Sequence, residues 1–184
     1  MAQADTLLKI DSIEGESQDK DLPKTIEIQS WSAGVTNSGS FGSGTGGGTG
    51  KAQFQDMHFT KSADKASVKI AKACATGQHI KEAVLVIRKA GGPSTLPYMT
   101  ITMTNVRVTS YQTSGHGSGG TSEQFSLNYE KIKYSYQAQD EKGAKKDGAI
   151  DFASQPDRSI EKQVRGGKKQ DPKGESSCPI TPRH

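Results

Sequence analysis

Residues 123–136, EQFSLNYEKIKYSY, indicate the fold class. Their apolar side chains occupy first the odd and then the even positions: Phe125, Leu127, Tyr129, Ile132, Tyr134 and Tyr136. Alternation with a period of two is typical of a β-strand with one face toward a core. The change of parity near Glu130–Lys131 predicts a bend within a long strand.

The same pattern occurs upstream. Apolar side chains occupy first odd and then even positions there: Met99, Ile101, Met103, Val106 and Val108. This predicts a second strand with a bulge or bend near Thr104–Asn105, and residues 115–120 form a glycine-rich turn between the two strands.

Further strands are predicted over 7–10, 26–32, 52–60 and 83–87, with a short strand around 149–152. We predict one helix, over 63–75, because apolar residues have helical spacing there: Ala66, Ile70, Ala73 and Cys74. Ser62 is the predicted N-cap and Gly77 the predicted stop. In the strand at 26–32, alternation predicts that Ile26, Ile28, Ser30 and Ser32 share one side.

Together these elements predict a mostly β fold, an antiparallel β-barrel or sandwich of two sheets with one flanking helix. The 184 residues suffice for one domain with its own core. Two cysteines do not make a disulfide framework, and Cys74 is expected to be a buried small hydrophobic residue.

Charge separates a body from a tail. Residues 164–184 hold five basic and two acidic residues, a net of +3, which leaves +1 of the total +4 for residues 1–163. We therefore predict a folded domain over 1–163, a polar, basic, disordered tail over 164–184, and no nucleic-acid partner. The sequence shows no cleavable signal peptide and no membrane-spanning stretch.

Residues 36–51 consist almost entirely of Gly, Ser and Thr, and we expect them to form an extended arm. Gly50-Lys51 resembles the end of a phosphate-binding loop, but the pattern requires Gly at Thr45 and Ser or Thr at Ala52. Two GxGxxG matches, at 42–47 and 115–120, do not lead into a helical pattern.

Catalytic and metal-binding patterns are absent from the sequence. The four histidines, His58, His79, His116 and His184, do not have metal-ligand spacing, and no GxSxG nucleophile motif occurs. We expect neither an enzyme nor a bound cofactor. Trp31, the one tryptophan, is expected to anchor the core or an interface.

Seven segments, in order, resemble the Hcp family of bacterial type VI secretion. They are LKIDSIEGES (8–17), IQSWSAGV (28–35), GKAQFQDMHFTK (50–61), KACATGQHIKEA (72–83), RKAGG (88–92), SYQT (110–113) and EQFSLNYEKI (123–132). The resemblance extends from about residue 7 to about residue 152. The chain departs from many relatives at Ala33, where they carry an aromatic residue, and in the tail.

The resemblance implies a fold related to the tail-tube proteins of contractile phages. It implies homo-hexameric rings that stack into a tube inside a sheath, tipped by a VgrG-type spike and carrying effector cargo. It implies residence in the bacterial cytoplasm before firing, then secretion.

The resemblance also suggests roles for particular residues. Ser32 is expected near the lumen wall, in contact with cargo. The arm is expected to make ring-to-ring contacts through Thr36, Asn37, Ser38, Gly39, Ser40, Phe41, Gly42, Gly44, Gly46, Gly47, Gly48, Gly50 and Lys51.

Two other classes of function are compatible with the sequence. The first is a monomeric soluble β-barrel whose glycine-rich loops bind a sugar, lipid or nucleic acid. The second is an enzyme, such as an Hcp protein with a toxin extension. The roughly 21 residues that follow Gln163 are too few for a catalytic domain.

Overall fold

The computed structural model describes residues 5–37, 52–88, 96–115, 117, 120–138, 146 and 148–155. Its strands are β1 (Asp5–Ile10), β2 (Ile26–Glu27), β3 (Ser30–Ser32), β4 (Val35–Asn37), β5 (Ala52–Phe54), β6 (Met57–Ser62), β7 (Ile80–Arg88), β8 (Pro97–Gly115), β9 (Thr121–Tyr136) and β10 (Ile150–Ser154). One helix, α1 (Ser67–Thr76), lies between β6 and β7. The predicted mostly β, antiparallel fold with one helix is confirmed.

The larger sheet curls and closes on itself. Its strand order is β2-β1-β7-β8-β9-β6-β3, and every pair is antiparallel. The two end strands, β2 and β3, are consecutive pieces of chain joined by Ile28 and Gln29. The Ile28 N–H donates to the Thr6 carbonyl and the Gln29 N–H to the Thr60 carbonyl. The sheet therefore closes into a barrel through residues 26–32.

Two strand pairings lie outside the closed path. β4 and β5 form a separate two-stranded ribbon, with Val35 opposite Phe54 and Asn37 opposite Ala52. β10 pairs with the C-terminal half of β9, with Ile150 opposite Tyr136. The short strand predicted around 149–152 is confirmed as β10.

The two predicted bends lie opposite each other. Thr104 pairs with Lys131 and Val106 with Tyr129, so the register does not change where both strands change parity. Asn105, between them, has a φ of 55°, a left-handed conformation that Asn tolerates better than most residues. β8 and β9 therefore bend together.

The core fills the barrel interior. The largest fully buried apolar side chains come from β1, β2 and β6 to β9 and from the helix: Leu8, Ile26, Met57, Phe59, Ile70, Leu85, Ile101, Met103, Phe125, Leu127 and Ile132. The Phe59 and Phe125 rings stack with centroids 5.1 Å apart. Helix α1 covers β8 with its buried Ile70 and Ala73, as their spacing predicted.

The helix begins four residues later than predicted, so the predicted start at residue 63 and the Ser62 N-cap are both wrong. Ser62 is the last residue of β6. Asp64 accepts a hydrogen bond from the Ala66 N–H at 2.9 Å and another from the Lys61 ammonium, and this turn keeps the chain out of the helix until Ser67.

The helix ends as predicted. Gly77 follows the last turn with a φ of 62°, in the left-handed region that favours glycine, and its N–H donates to the Cys74 carbonyl. Cys74 itself is half-buried rather than fully buried, and it packs against the core.

The prediction that Ile26, Ile28, Ser30 and Ser32 share one side is wrong. Ile26 and Ile28 are buried, whereas both serines are exposed. The orientation changes because the chain leaves β1 and joins β6 at this point. Trp31 lies directly opposite the buried Phe59 and packs against the core.

Candidate assembly surfaces

The ribbon β4–β5 carries the predicted arm. Thr36 and Asn37 are exposed in β4, and residues 38–51, which hold the other predicted arm residues from Ser38 to Lys51, lie outside the described part of the chain. The structure therefore gives only the base of the arm, the ribbon of β4 and β5.

Hydrogen bonds hold that base to the barrel. The Gln55 N–H donates to the Gly34 carbonyl at 2.9 Å, and the Tyr129 hydroxyl donates to the Gln55 carbonyl at 3.0 Å. An added Cβ at position 34 would lie 2.4 Å from the Gln55 Oε1, so the flexible Gln55 side chain would have to move. Burial raises the pKa of Tyr129 to about 12, and the Tyr134 phenolate, once formed, and the Asp56 carboxylate add to the shift.

Asp56 also holds the base of the arm against the barrel. Its carboxylate accepts hydrogen bonds from the Thr109 hydroxyl at 2.6 Å and the Asn128 amide at 2.7 Å. These partners belong to β8 and β9, so one side chain links the two residues between β5 and β6 to two barrel strands. The base of the arm is thus ordered.

Ser32, the predicted cargo contact, lies on the exposed side of β3. It is opposite His58, and His58 Nδ1 lies 2.7 Å from the Ser126 hydroxyl, which also receives a hydrogen bond from Ser110. Ser32 thus stands at the end of a polar row that crosses four strands, β3, β6, β9 and β8. The row is outside the apolar core.

A buried polar cluster, not predicted from the sequence, links β6, α1, β8 and β9. Lys61 is fully buried, and its ammonium lies 2.7 Å from carboxylate oxygens of both Asp64 and Glu123. Glu123 also accepts hydrogen bonds from the Ser67 and Tyr111 hydroxyls at 2.7 and 2.8 Å. Every ionised group here has an opposite charge or a donor.

These contacts shift two pKa values. Burial alone would raise the pKa of Glu123, but hydrogen bonds from Lys61, Ser67 and Tyr111 outweigh it and hold the pKa below its ordinary 4.5. Burial and the neighbouring Glu123 carboxylate raise the pKa of Tyr111 to about 12. The Glu123 carboxyl is therefore ionised at neutral pH.

A second ion pair borders an open groove of about 1090 Å³. Arg88 is almost fully buried at the end of β7 and pairs with Asp19 and Asp21. The Arg88 hydrogen bond holds the pKa of Asp19 below its usual range. The contact fixes the loop before β2 against the barrel.

The two described histidines lie apart from each other. His58 contacts Ser126, and His79 contacts Asn105 and Arg107 at the bend. His116 and His184 lie outside the described residues. In the described ranges, no three His, Cys, Asp or Glu side chains are grouped as metal ligands would be.

The inner face of the sheet continues past the barrel onto β10. Cross-strand pairs place Leu85, Ile101, Tyr134 and Phe152 in one row of the sheet. Leu85 and Ile101 are fully buried, Tyr134 is half-buried and Phe152 is 54% exposed. The core face therefore emerges at the surface.

A family model for the type VI secretion system effector Hcp matches residues 7–136 of this sequence. The chain belongs to the Hcp family. Hcp proteins are structural tube proteins of type VI secretion rather than enzymes, and this chain is a tube subunit of that kind.

Relatives agree along most of the chain. Protein hcp1 of Pseudomonas aeruginosa is 40% identical over 149 residues, which span 80% of this Hcp chain and 92% of that protein. A solved type six secretion system protein is 34% identical with a TM-score of 0.75, covering 80% of this chain and 92% of the other. Hcp1 from Salmonella typhimurium is 30% identical with a TM-score of 0.66, covering 84% and 95%.

These structures confirm the predicted Hcp fold. In the described part of this Hcp chain, no helix combines the length and hydrophobicity that crossing a bilayer requires.

Proposed function

We propose that this Hcp protein forms homo-hexameric rings that stack into the inner tube of a type VI secretion apparatus. The match to the Hcp family over residues 7–136 carries the proposal. The closed barrel supports it, because a ring subunit must keep its own fold while it presents surfaces to neighbours on several sides.

The proposal includes the partners and route of the tube. The tube lies within a contractile sheath, bears a VgrG-type spike, holds effector cargo in its lumen, and is propelled from the bacterial cytoplasm to the outside. None of these steps requires chemistry by the subunit, so its surfaces rather than a catalytic site perform the function.

Mass measurement in solution combined with negative-stain imaging tests the oligomeric state. We expect large rings without added ligand. A protein that remains monomeric at every concentration, and whose stability rises on binding a small ligand, would instead support a monomeric ligand-binding module.

The arm at residues 36–51 is proposed to contact the next ring of the stack. Its base supports this role, since hydrogen bonds through Gln55 and Asp56 hold that base against the barrel. Glycine in the arm allows its backbone to approach a neighbour closely.

Deleting Gly42–Gly48 tests the arm. We expect the variant to fold and form rings but to yield fewer and shorter tubes and less secreted protein. The matched control keeps the same seven residues in a different order, which preserves length and composition and is expected to stack normally. Tubes of normal length from the deletion variant would contradict this role.

Ser32 is proposed to contact cargo in the lumen. Its exposed position beside His58 leaves room for a contact. We expect Ser32→Gln to reduce co-secretion of cargo without changing the amount of secreted tube protein. Unchanged co-secretion would count against the contact.

A further inference from the structure

We propose that the exposed apolar face around β10 binds a second copy of this chain within the ring. This face, called the β10 patch, consists of Tyr134, Tyr136, Ile150 and Phe152. The inference rests on the proposed function and adds to it the surface through which one subunit contacts the next.

The β10 patch is apolar and uncovered. Ile150 is 71% exposed and Phe152 54%. Their cross-strand neighbours are Tyr136 and Tyr134, and the Phe152 ring lies 6.2 Å from that of Tyr134. The three most exposed members leave on the order of 300 Å² of side chain in water, the size of a patch that is often functional on a monomer.

The position of the β10 patch in the sheet favours its being covered by another surface. Ile150 and Tyr136 lie in the same row as the partly buried Met99 and the buried Ile87, so this row runs from the barrel interior to the surface. An edge strand that turns its core face to water is a site for association unless it is protected. The charged pair Lys133–Asp151 lies on the opposite face and does not protect it.

The occupant is a second copy rather than the chain's own tail. Residues 156–184 contain three large aliphatic side chains, Ile160, Val164 and Ile180, among many charged and polar ones. Such a segment has little apolar surface with which to cover the patch. A second copy supplies a folded surface, and the patch provides more than a third of the roughly 800 Å² that one partner gives to a standard interface.

The double variant Ile150→Thr, Phe152→Thr tests the contact, because threonine keeps the preference for a strand and removes most apolar area. We expect the protein concentration at half-assembly, measured by sedimentation, to rise about a hundredfold, because apolar anchors dominate the energy of interfaces. Val68→Ala is the matched control, since Val68 is 77% exposed on α1, which packs against β8, and its assembly should match wild type.

Each outcome decides a different question. If the double variant assembles at the same concentration as wild type, the β10 patch is not the ring contact, whether it is free or covered by the tail. If wild type itself never assembles, the proposed function fails before the patch is at issue.

A measurement on the unchanged protein guards against misfolding of the variant. Hydrogen exchange of the β10 amides, residues 150–154, should slow in the assembled protein relative to the diluted monomer. Exchange at equal rates in both states would overturn the proposal even if the double variant failed to fold.

Discussion

At the residue scale, the most unusual side chain is Lys61, a lysine that is fully buried. A buried ammonium is stable only where its hydrogens meet acceptors, and here Asp64 and Glu123 supply two carboxylates. Lys61 lies directly opposite Glu123 in the β6–β9 register. The pair therefore joins two strands and the start of the helix.

We predict that Lys61→Met destabilises the fold by about 3–5 kcal/mol, because it leaves the Glu123 carboxylate buried without its cation. Adding Glu123→Gln should recover part of the loss. Denaturant unfolding at one fixed protein concentration measures both effects. The control, Lys24→Met, removes an exposed partner of Glu14 and should change stability by less than about 1 kcal/mol.

Acid sensitivity follows from the pKa of Glu123. A pKa lowered in the folded state contributes stability that is present above the ordinary value of 4.5 and is lost as pH falls through the folded value. We therefore expect stability to decline below about pH 4.5, with a shallower decline in Glu123→Gln. Thermal unfolding at a series of pH values checks this, and equal acid slopes for both proteins would contradict it.

This cluster was predictable in part. Lys61 continues the inward positions of Met57 and Phe59, and Glu123 continues those of Phe125 and Leu127. Opposite charges at the ends of two inward rows indicate a buried pair, provided that the strands are known to be neighbours. That adjacency comes from the fold, and alternation within one strand does not reveal it.

At the element scale, the local sequence determines where α1 ends but not where it begins. Gly77 stops the helix through its own left-handed conformation, which a sequence shows directly. The start depends on Asp64, whose turn is held by Lys61. Since that contact is made by β6, a pattern within the helix could not place the first residue.

We predict that Gly77→Ala destabilises the protein by about 1 kcal/mol, because alanine is strained at a φ of 62° although its Cβ would meet no atom within 4 Å. Gly148→Ala is the control, since it has the same open space without a left-handed φ. Equal melting temperatures for the two variants would show that strain at the helix end contributes nothing.

Gly15 presents the opposite case. A Cβ there would lie 2.2 Å from the Thr25 carbonyl oxygen, so backbone must move to admit any side chain. We predict that Gly15→Ala lowers the free energy of unfolding by about 1–3 kcal/mol, because the loop that ends at β2 must be displaced. This loss should exceed that of Gly77→Ala. Unfolding midpoints compared in the same denaturant series check the order, and the reverse order would contradict it.

At the scale of the whole molecule, the strands were predictable but the closure was not. Alternation gave the bends in β8 and β9 and the strand at β10. The change of partner within residues 26–32 depends on β1 and β6, which are distant from each other in sequence. The β10 patch likewise is recognisable only when cross-strand pairs show which residues continue the core face.

The distribution of charge predicts how assembly depends on salt. Residues 1–163 carry a net charge of +1 and the β10 patch carries none. Salt therefore has little charge–charge interaction between subunits to screen. We expect the concentration at half-assembly to change less than about threefold between about 50 and about 500 mM NaCl. Sedimentation across this range checks it, and a steep salt dependence would indicate contacts made by the basic tail.

The closure of the barrel has a consequence for synthesis on the ribosome. β1 emerges first, yet its main partner β7 begins at Ile80, and β6 waits for β9, which ends at Tyr136. The nascent chain therefore carries unpaired apolar strands until most of it has been translated. Folding is deferred and cooperative, as expected for pairings that are distant in sequence, and the growing chain is a natural client for chaperones.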